Sequence, residues 1–596
     1  MTIHKKLFDL LDNKSKKEFF WFLLISVIYS GFETAGLAFI LPYLDIVQNF
    51  DSGIKGSSIA PIFKYLNLPE KGIELVYFAS LVLLILMTTK YTLQLYVSYL
   101  SAELPYNLFK IHGGLLAKRY NNMSWVEFAK KNTNEMIKNV TKSNEMLAYS
   151  YVIYLQYLTS AIVIIFLTGI LFFVDYKTTF ILLIVFGSMA ASTHIAMRGR
   201  QKDAGLQREK GLSDVYKKSS ELFLSNREIK ITKTKGYFLK QFLSSLKQLS
   251  RAFKTATFFP RIPVVIFEMG AIMLLIFIVI VNIHLNYNLT ELVAILIFYA
   301  AVGRRLLPSI STLVFCQSTM KNLEATIDIM HEELDGVLSE EADSNQAEDI
   351  NLKKLNWKKE ITIDDLWFSY NKDKPILKGV SFKIKKNTSI AFVGESGAGK
   401  STIIDILTGL ITADSGNFKI DGKKIESLKL LSNIGYVPQM PTILDSSIEA
   451  NIAFGQEIVD DEKLEKSLKL AHLKSLVGSL DEGLQTIIGE RGIKLSGGQR
   501  QRISIARALY HDPEIIFFDE ATSALDNISE KIINDTISEL SGSKTIIAIA
   551  HRLSTIRHFD LIYVVKEGKI ISSGRHDELL ENCHDYIKMN SVVGIE

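Results

Sequence analysis

The run Ser389-Ile-Ala-Phe-Val393-Gly-Glu-Ser-Gly-Ala-Gly-Lys400-Ser-Thr402-Ile-Ile-Asp-Ile-Leu407 sets an apolar stretch, a glycine-rich turn and an amphipathic stretch in series. A buried strand feeding Gly394, Glu395, Ser396, Gly397, Ala398 and Gly399, with Lys400, Ser401 and Thr402 opening a helix, is the pattern of a phosphate-binding loop. Backbone N–H groups and the positive end of the helix then face an anion. Lys400 is expected on the β- and γ-phosphates. Ser401 supplies a hydroxyl, a hard oxygen ligand suited to Mg2+.

Around this centre the composition is uneven. The chain has 596 residues, 48% of them hydrophobic, and a mean hydropathy of +0.17. The apolar residues concentrate before residue 316. A net charge of +4 is too small to argue for a nucleic-acid partner. Cys316 and Cys583 lie far apart and imply neither a disulfide framework nor a zinc site. No small-residue cleavage site follows the first apolar run, which is therefore expected to be a retained anchor.

Six runs in the first half reach the roughly 20 residues that a bilayer demands: Phe19 to Val47, Glu74 to Leu100, Met146 to Val174, Thr178 to Met197, Thr257 to Ile283 and Leu289 to Phe315. Lysines and arginines crowd the segment before the first run, the loop between the second and third, and the loop between the fourth and fifth. The positive-inside rule puts these, and both ends of the domain, in the cytoplasm. Helices two to five are expected to run on past the membrane, with short turn-helix elements near Ser124–Phe128 and Asn226–Lys230 at their tips. On the outer side, Ile59, Ile62, Phe63 and Leu66 make one apolar helical face. That face suits either the membrane boundary or packing within its own loop.

Charges inside the runs are costly in hydrocarbon and raise a functional question. Glu33, Lys90, Glu268, Arg304 and Arg305 fall well inside, and Arg261 nearer the cytoplasmic end. They either neutralise one another across helices or line a wet cavity. Their excess of basic groups favours an anionic cargo, because guanidinium pairs well with phosphate. Pro42, Pro260, Pro263 and Pro308 lie close by and are expected to kink or break the helices.

From Glu332 to Leu355 the chain turns polar, and a soluble α/β domain is expected beyond it. Ile361 to Tyr370 reads as a strand ending in an aromatic ring that can stack on a purine. Glu514 to Asp519 reads as a buried strand ending in a carboxylate, the usual partner of a phosphate loop in holding magnesium. Glu520 follows at once, poised to take a proton from the attacking water. Ser496, Gly497, Gly498 and Gln499 open another helix and make a second anion site. One loop already covers the phosphates, so this second site makes sense on a second copy of the chain.

Tyr370, the loop from Gly394 to Thr402, Gln439, Gly489 to Gly492, Leu495 to Gln499, Asp519 with Glu520, Ser523 to Asp526 and His551 together resemble the motif set of an ABC ATPase, in its order and spacing. With six runs in front, the chain resembles an ABC exporter half-transporter of the type IV architecture. The resemblance implies a membrane α-helical domain of six spans, twelve in the dimer, followed by an α/β P-loop ABC ATPase domain. The expected boundaries are 1–325 for the membrane domain, 326–358 for a linker and 359–596 for the nucleotide-binding domain. It implies ATP and Mg2+ as ligands, with Tyr370 on adenine, Gln439 sensing magnesium, Glu520 as base and His551 on the γ-phosphate. It also implies that the loop tips are coupling helices, that the partner is a second copy, and that the home is the bacterial inner membrane.

More narrowly, Glu33-Thr34 with Pro42, the face at Ile59 to Leu66, Pro260-Arg261 with Glu268, and Arg304 to Pro308 resemble the bacterial flippase of lipid-linked oligosaccharides. This resemblance implies Arg261 and Arg305, or its neighbour Arg304, on a pyrophosphate, with Lys90 a further candidate. Export of a peptide, a drug or another lipid is the alternative. A nucleotide-gated channel that does not pump is a third reading.

Overall fold

In a computed structural model of the chain, the structure describes residues 2–48, 72–174, 176–284, 289–337, 357–370, 374–425, 434–521, 526–550 and 552–593. Two compact units emerge, one of residues 1–123 and 130–346, the other of 124–129 and 347–596.

The first unit is helical. It comprises α1 (Ile3–Asp9), α2 (Asn13–Gln48), α3 (Ile73–Asn122), α4 (Trp125–Lys130, most of which groups with the second unit), α5 (Thr133–Lys138), α6 (Asn144–Val174), α7 (Tyr176–Leu224), α8 (Asn226–Ile231), α9 (Lys235–Phe258), α10 (Arg261–His284) and α11 (Leu289–Leu334). Five helical stretches among the described residues are long and apolar enough to cross a membrane: Asn13–Ile40, Ile73–Asn122, Thr133–Phe173 over α5 and α6, Thr179–Leu224, and Lys235–Met273 over α9 and the start of α10. The sixth expected run opens α11, where the side chains of 289–301 lie outside the described set. At 50 and 49 residues, α3 and α7 extend roughly 75 Å, more than twice the thickness of a bilayer core. Polar residues fill their C-terminal halves, so they run well past the apolar layer. Within the unit α2 packs along α3, α9 along α7, and α11 along both α6 and α7.

Prolines act differently by position. Phe259 and Pro260 separate α9 from α10, because proline brings no N–H to the ladder and its ring crowds the preceding turn. Pro42 and Pro308 lie inside α2 and α11, which continue through them. The linker expected from residue 326 begins later. Ile327, Met330 and Leu334 are buried at helical spacing, so residues 326–334 are the last turns of α11. At the other end Trp357 is buried in the core of the second unit. The outer face at Ile59 to Leu66 lies outside the described residues.

The second unit holds two sheets. Strands β1 (Glu360–Phe368), β2 (Leu377–Lys385), β4 (Ser415–Ile420) and β5 (Lys423–Ile425) form an antiparallel sheet in the order β2-β1-β4-β5. Strands β3 (Ser389–Val393), β6 (Ile434–Val437), β7 (Ile515–Asp519), β8 (Thr545–Ile549), β9 (Leu561–Lys566) and β10 (Lys569–Gly574) form the other, in the order β10-β9-β3-β8-β7-β6. Its inner strands are parallel. Both faces of a parallel sheet are covered, so its strands read as unbroken apolar runs. Successive residues feed opposite cores. Ile390 and Phe392 join the cluster under α12 (Lys400–Leu407), while Ala391 and Val393 join the cluster under α13 (Gly497–Tyr510). Val126, in the short segment 124–129, also packs on the first of these clusters.

Candidate nucleotide site

The register of the parallel sheet builds the site. Phe392 on β3 and Asp519 on β7 both pair with Ile549 on β8, so the glycine loop and the acidic strand end emerge at the same edge. Ligands of open α/β sheets collect at that carboxyl edge. All five residues of β3 are buried, which anchors the loop that follows.

Gly399 caps α12 with φ +102°, a conformation that strains any residue with a side chain. A Cβ there would also stand 2.8 Å from the Leu377 side chain. Lys400 is buried, and its Nζ donates to the carbonyls of Gly394 and Glu395 at 2.8 and 2.9 Å. Burial holds its ammonium pKa below the ordinary lysine value, against the pull of Glu520 and Asp519. Ser401 is exposed at the start of α12, while Thr402 is buried.

Opposite the loop, the Gln439 amide donates to Glu520 Oε2 at 2.6 Å. Tyr436, near the end of β6, donates its hydroxyl to Asp519 Oδ2 at 3.1 Å. Glu520 has φ +48°, uncommon for a residue with a side chain, and its N–H donates to Ile549 O at 3.1 Å. Backbone held in such a region marks places where geometry matters. Asp405, one turn along α12 from Ser401, has its carboxyl pKa raised to about 6 by burial and then by the charge of Asp519.

Two groups were not legible as site residues in the sequence. Tyr436 reads as an ordinary strand residue; only the β6–β7 pairing brings its hydroxyl to Asp519. Gln501 is buried on α13 and donates to Pro438 O at 3.0 Å, tying that helix to the residue before Gln439. Its helical spacing with Ser504, Ile505 and Ala508, which are buried beside it, was its one available signal.

The second anion motif opens α13. Ser496 Oγ accepts from Gln499 N at 3.2 Å, and Gln499 Oε1 accepts from Ser496 N at 2.8 Å, a reciprocal cap. Gly497 and Gly498 form the first turn. A Cβ on Gly498 would stand 2.1 Å from Ser529 Oγ on α14 (Asn527–Leu540), so only glycine fits. Asp526 caps α14 through Ser529 N at 3.3 Å. Glu530 on α14 pairs with Arg552. Tyr370 is exposed beyond β1, edge-on to Phe368. His551 and Ser523 to Leu525 lie outside the described residues.

The donor set fits magnesium. Among the described residues no three His, Cys, Asp or Glu side chains could hold a metal by themselves. The hydroxyl of Ser401, the amide of Gln439 and the carboxylate of Asp519 offer oxygen donors of the kind magnesium takes when phosphate oxygens complete its shell.

Residues 377–523 match the family model described as ABC transporter. With the loop, the acidic strand end and the α13 cap, this makes the C-terminal unit an ABC transporter ATPase domain. The whole chain has the fold of a bacterial Atm1-family ABC exporter solved with ATP bound: TM-score 0.76 at 20% identity, over 98% of this chain and all of that one. Among relatives, an ATP-dependent lipid A-core flippase of Saccharophagus degradans is 42% identical over 257 residues, 42% of this chain and 43% of the relative. ABC transporter B family member 21 of Arabidopsis thaliana is 40% identical over 228 residues, 37% of this chain and 18% of the relative. The matched stretches span less than half of each of these relatives.

In the helical unit the mid-span charges separate. Glu33 on α2 is only 2% exposed. Its carboxylate receives Arg305 of α11 at 2.6 Å and Lys90 of α3 at 3.5 Å, and Arg305 also donates to Tyr29 at 2.6 Å. Arg261, Glu268 and Arg304 are exposed and do not join this cluster.

Proposed function

We propose that the chain is one half of a homodimeric, ATP-driven exporter that moves an amphipathic lipid across the bacterial inner membrane. ATP bound on Lys400 and Ser401 of one copy is closed over by Ser496 and Gly498 of the other. Tyr370 stacks on the adenine, and His551 faces the γ-phosphate. Glu520 takes the proton of a water whose oxygen bonds to the γ-phosphorus while the bond to the β-phosphate oxygen breaks, leaving ADP and phosphate. Gln439 holds the Glu520 carboxylate by its hydrogen bond, so movement of Gln439 is felt at the base. Magnesium, held by Ser401 and Gln439 with Asp519 acting through a water, would neutralise charge on the phosphate oxygens. The helices α4 and α8 are the coupling elements in this reading.

The cargo we infer is a lipid-linked oligosaccharide carrying a pyrophosphate. The observation behind it is the cluster of Arg305 and Lys90 on the single carboxylate of Glu33, which leaves one positive charge in excess inside apolar helices. Such an excess is costly unless an anion visits. Arg304, next to Arg305, and Arg261 at the start of α10 are exposed and serve as further contacts for that headgroup, and Glu268 lines the same path. A second reading, transport of another anionic lipid, is favoured by the name of the Saccharophagus degradans relative. Reconstitution in vesicles with a fluorescent lipid-linked sugar beside a lipid A-type lipid and a neutral lipid separates them. ATP-dependent loss of the sugar lipid alone supports the first cargo; movement of the lipid A-type lipid alone replaces it with the second.

A further inference from the structure

The Gln439 amide that holds Glu520 sits on an exposed side chain, so packing does not fix it in place. Its position is set through the backbone. Gln439 follows directly on Pro438, whose ring locks φ at about −65°. The peptide joining the two is a rigid plane, with the Pro438 carbonyl at one edge and the Cα of Gln439 at the far corner. Whatever grips that carbonyl therefore aims Gln439. Gln501 does so, donating its amide to Pro438 O at 3.0 Å from a side chain only 2% exposed. Leu or Met would fill the same space without the desolvation that burying an amide entails. Packing alone does not account for an amide here.

Gln501 reaches Pro438 because α13 and β6 approach closely. A Cβ on Gly435 would stand 2.8 Å from Ala508 O, so glycine lets the helix lie against the strand. From Ala508 back to Gln501 is roughly 10 Å along one helical face. From Gly435 on to Pro438 is also roughly 10 Å of extended chain. The two spans match, so contact at Gly435 sets Gln501 beside Pro438. Gln501 also lies within one turn of Gly498, in the anion turn that opens the same helix. Farther along, Arg507 makes a separate clamp, donating to Thr442 O at 2.8 Å and to Asn451 O at 2.7 Å. The segment after Pro438 thus stays held when Gln501 is changed.

We propose that Gln501 is a positioning residue for hydrolysis: by holding the Pro438 carbonyl it sets where Gln439 meets Glu520, and so joins the anion turn of α13 to the base of the chain's own site. The proposal rests on Glu520 being that base and on Gln439 holding it. The full chain is assayed for steady-state ATPase activity and for equilibrium ATP binding as Gln501→Met, as Gln439→Ala and as the double variant. Gln501→Met keeps the volume and loses the donor. Its kcat is expected to fall about ten- to hundredfold, as a small misplacement of a reacting group does, with ATP affinity unchanged because the Lys400 loop is untouched. In the Gln439→Ala background the same substitution is expected to add no further loss, since residues acting through one contact are not additive. Losses that multiply, or a normal kcat in Gln501→Met, overturn the positioning role and leave the pairing of Gln439 with Glu520 standing. Normal turnover in Gln439→Ala overturns that pairing and the proposal with it. If Gln501→Met does not fold, Pro438→Gly frees the same peptide with the amide still in place, and its losses, alone and with Gln439→Ala, decide in the same way.

Discussion

At the scale of single residues, three side chains carry distinct tests. Replacing Glu520 by Gln keeps its size and its place beside Gln439 but removes the proton acceptor. ATPase turnover should fall by about 10²–10⁴, with ATP binding retained in an equilibrium assay; normal turnover would remove Glu520 as the base. Arg305 is a harder case, because it neutralises a buried carboxylate. Arg305→Ala leaves Glu33 buried with Lys90 alone, at a cost of about 3–5 kcal/mol when one partner of a buried pair is lost. Adding Glu33→Gln and Lys90→Gln removes all three charges and should restore the melting temperature, because no member of the cluster is then left without its counter-charge. If lipid flipping stays lost in this stable variant, the basic charges meet cargo; if flipping returns, their role is structural. Asp405 gives a pH response. Its pKa is raised from 3.8 to about 6, so the folded state holds the proton more tightly than the unfolded state does. That stabilisation is complete below 3.8 and is lost as pH rises through about 6. Asp405→Asn should therefore raise the melting temperature of the nucleotide-free protein more at about pH 8 than at about pH 5; an equal effect at both would place the origin elsewhere.

At the scale of elements, the site depends on close approaches that only glycine permits. The start of α13 lies against α14, and a methyl on Gly498 would collide with Ser529 Oγ. Gly498→Ala should cost about 1–3 kcal/mol in stability, as overpacking does, and should disable hydrolysis while ATP still binds through α12. Adding Ser529→Gly, which removes the colliding hydroxyl and its carbon, should recover much of the lost turnover. No recovery would mean that Gly498 is needed for its backbone rather than for space. Elements also explain what the sequence reading located and what it did not. Strands β3 and β7 were legible because unbroken apolar runs ending in a glycine turn or a carboxylate have few other uses. The end of α11 was not, since its acidic last turns resemble a linker until Ile327, Met330 and Leu334 are seen buried.

At the scale of the whole molecule, the chain is proposed to work as two copies. Cysteines placed at Ser401 and Ser496 should crosslink between copies when ATP is present in a Glu520→Gln background, and the native Cys316 and Cys583 are buried and leave the reaction clean. Crosslinks only within one copy, or full turnover by an isolated subunit, would overturn the shared site. The match in fold over 98% of the chain at 20% identity shows that one architecture is built by widely different sequences.

The sequence by itself determined the phosphate loop, its acidic partner, the anion turn at Ser496 and the apolar runs, because each is a local pattern whose chemistry is set by neighbours in the chain. It also located Glu33, Lys90 and Arg305 as charges out of place. Only the tertiary structure decided that these three meet, that Tyr436 reaches Asp519 and that Gln439 holds Glu520. Those contacts join residues far apart in sequence, and their distances follow from strand register and helix packing, which no local pattern encodes.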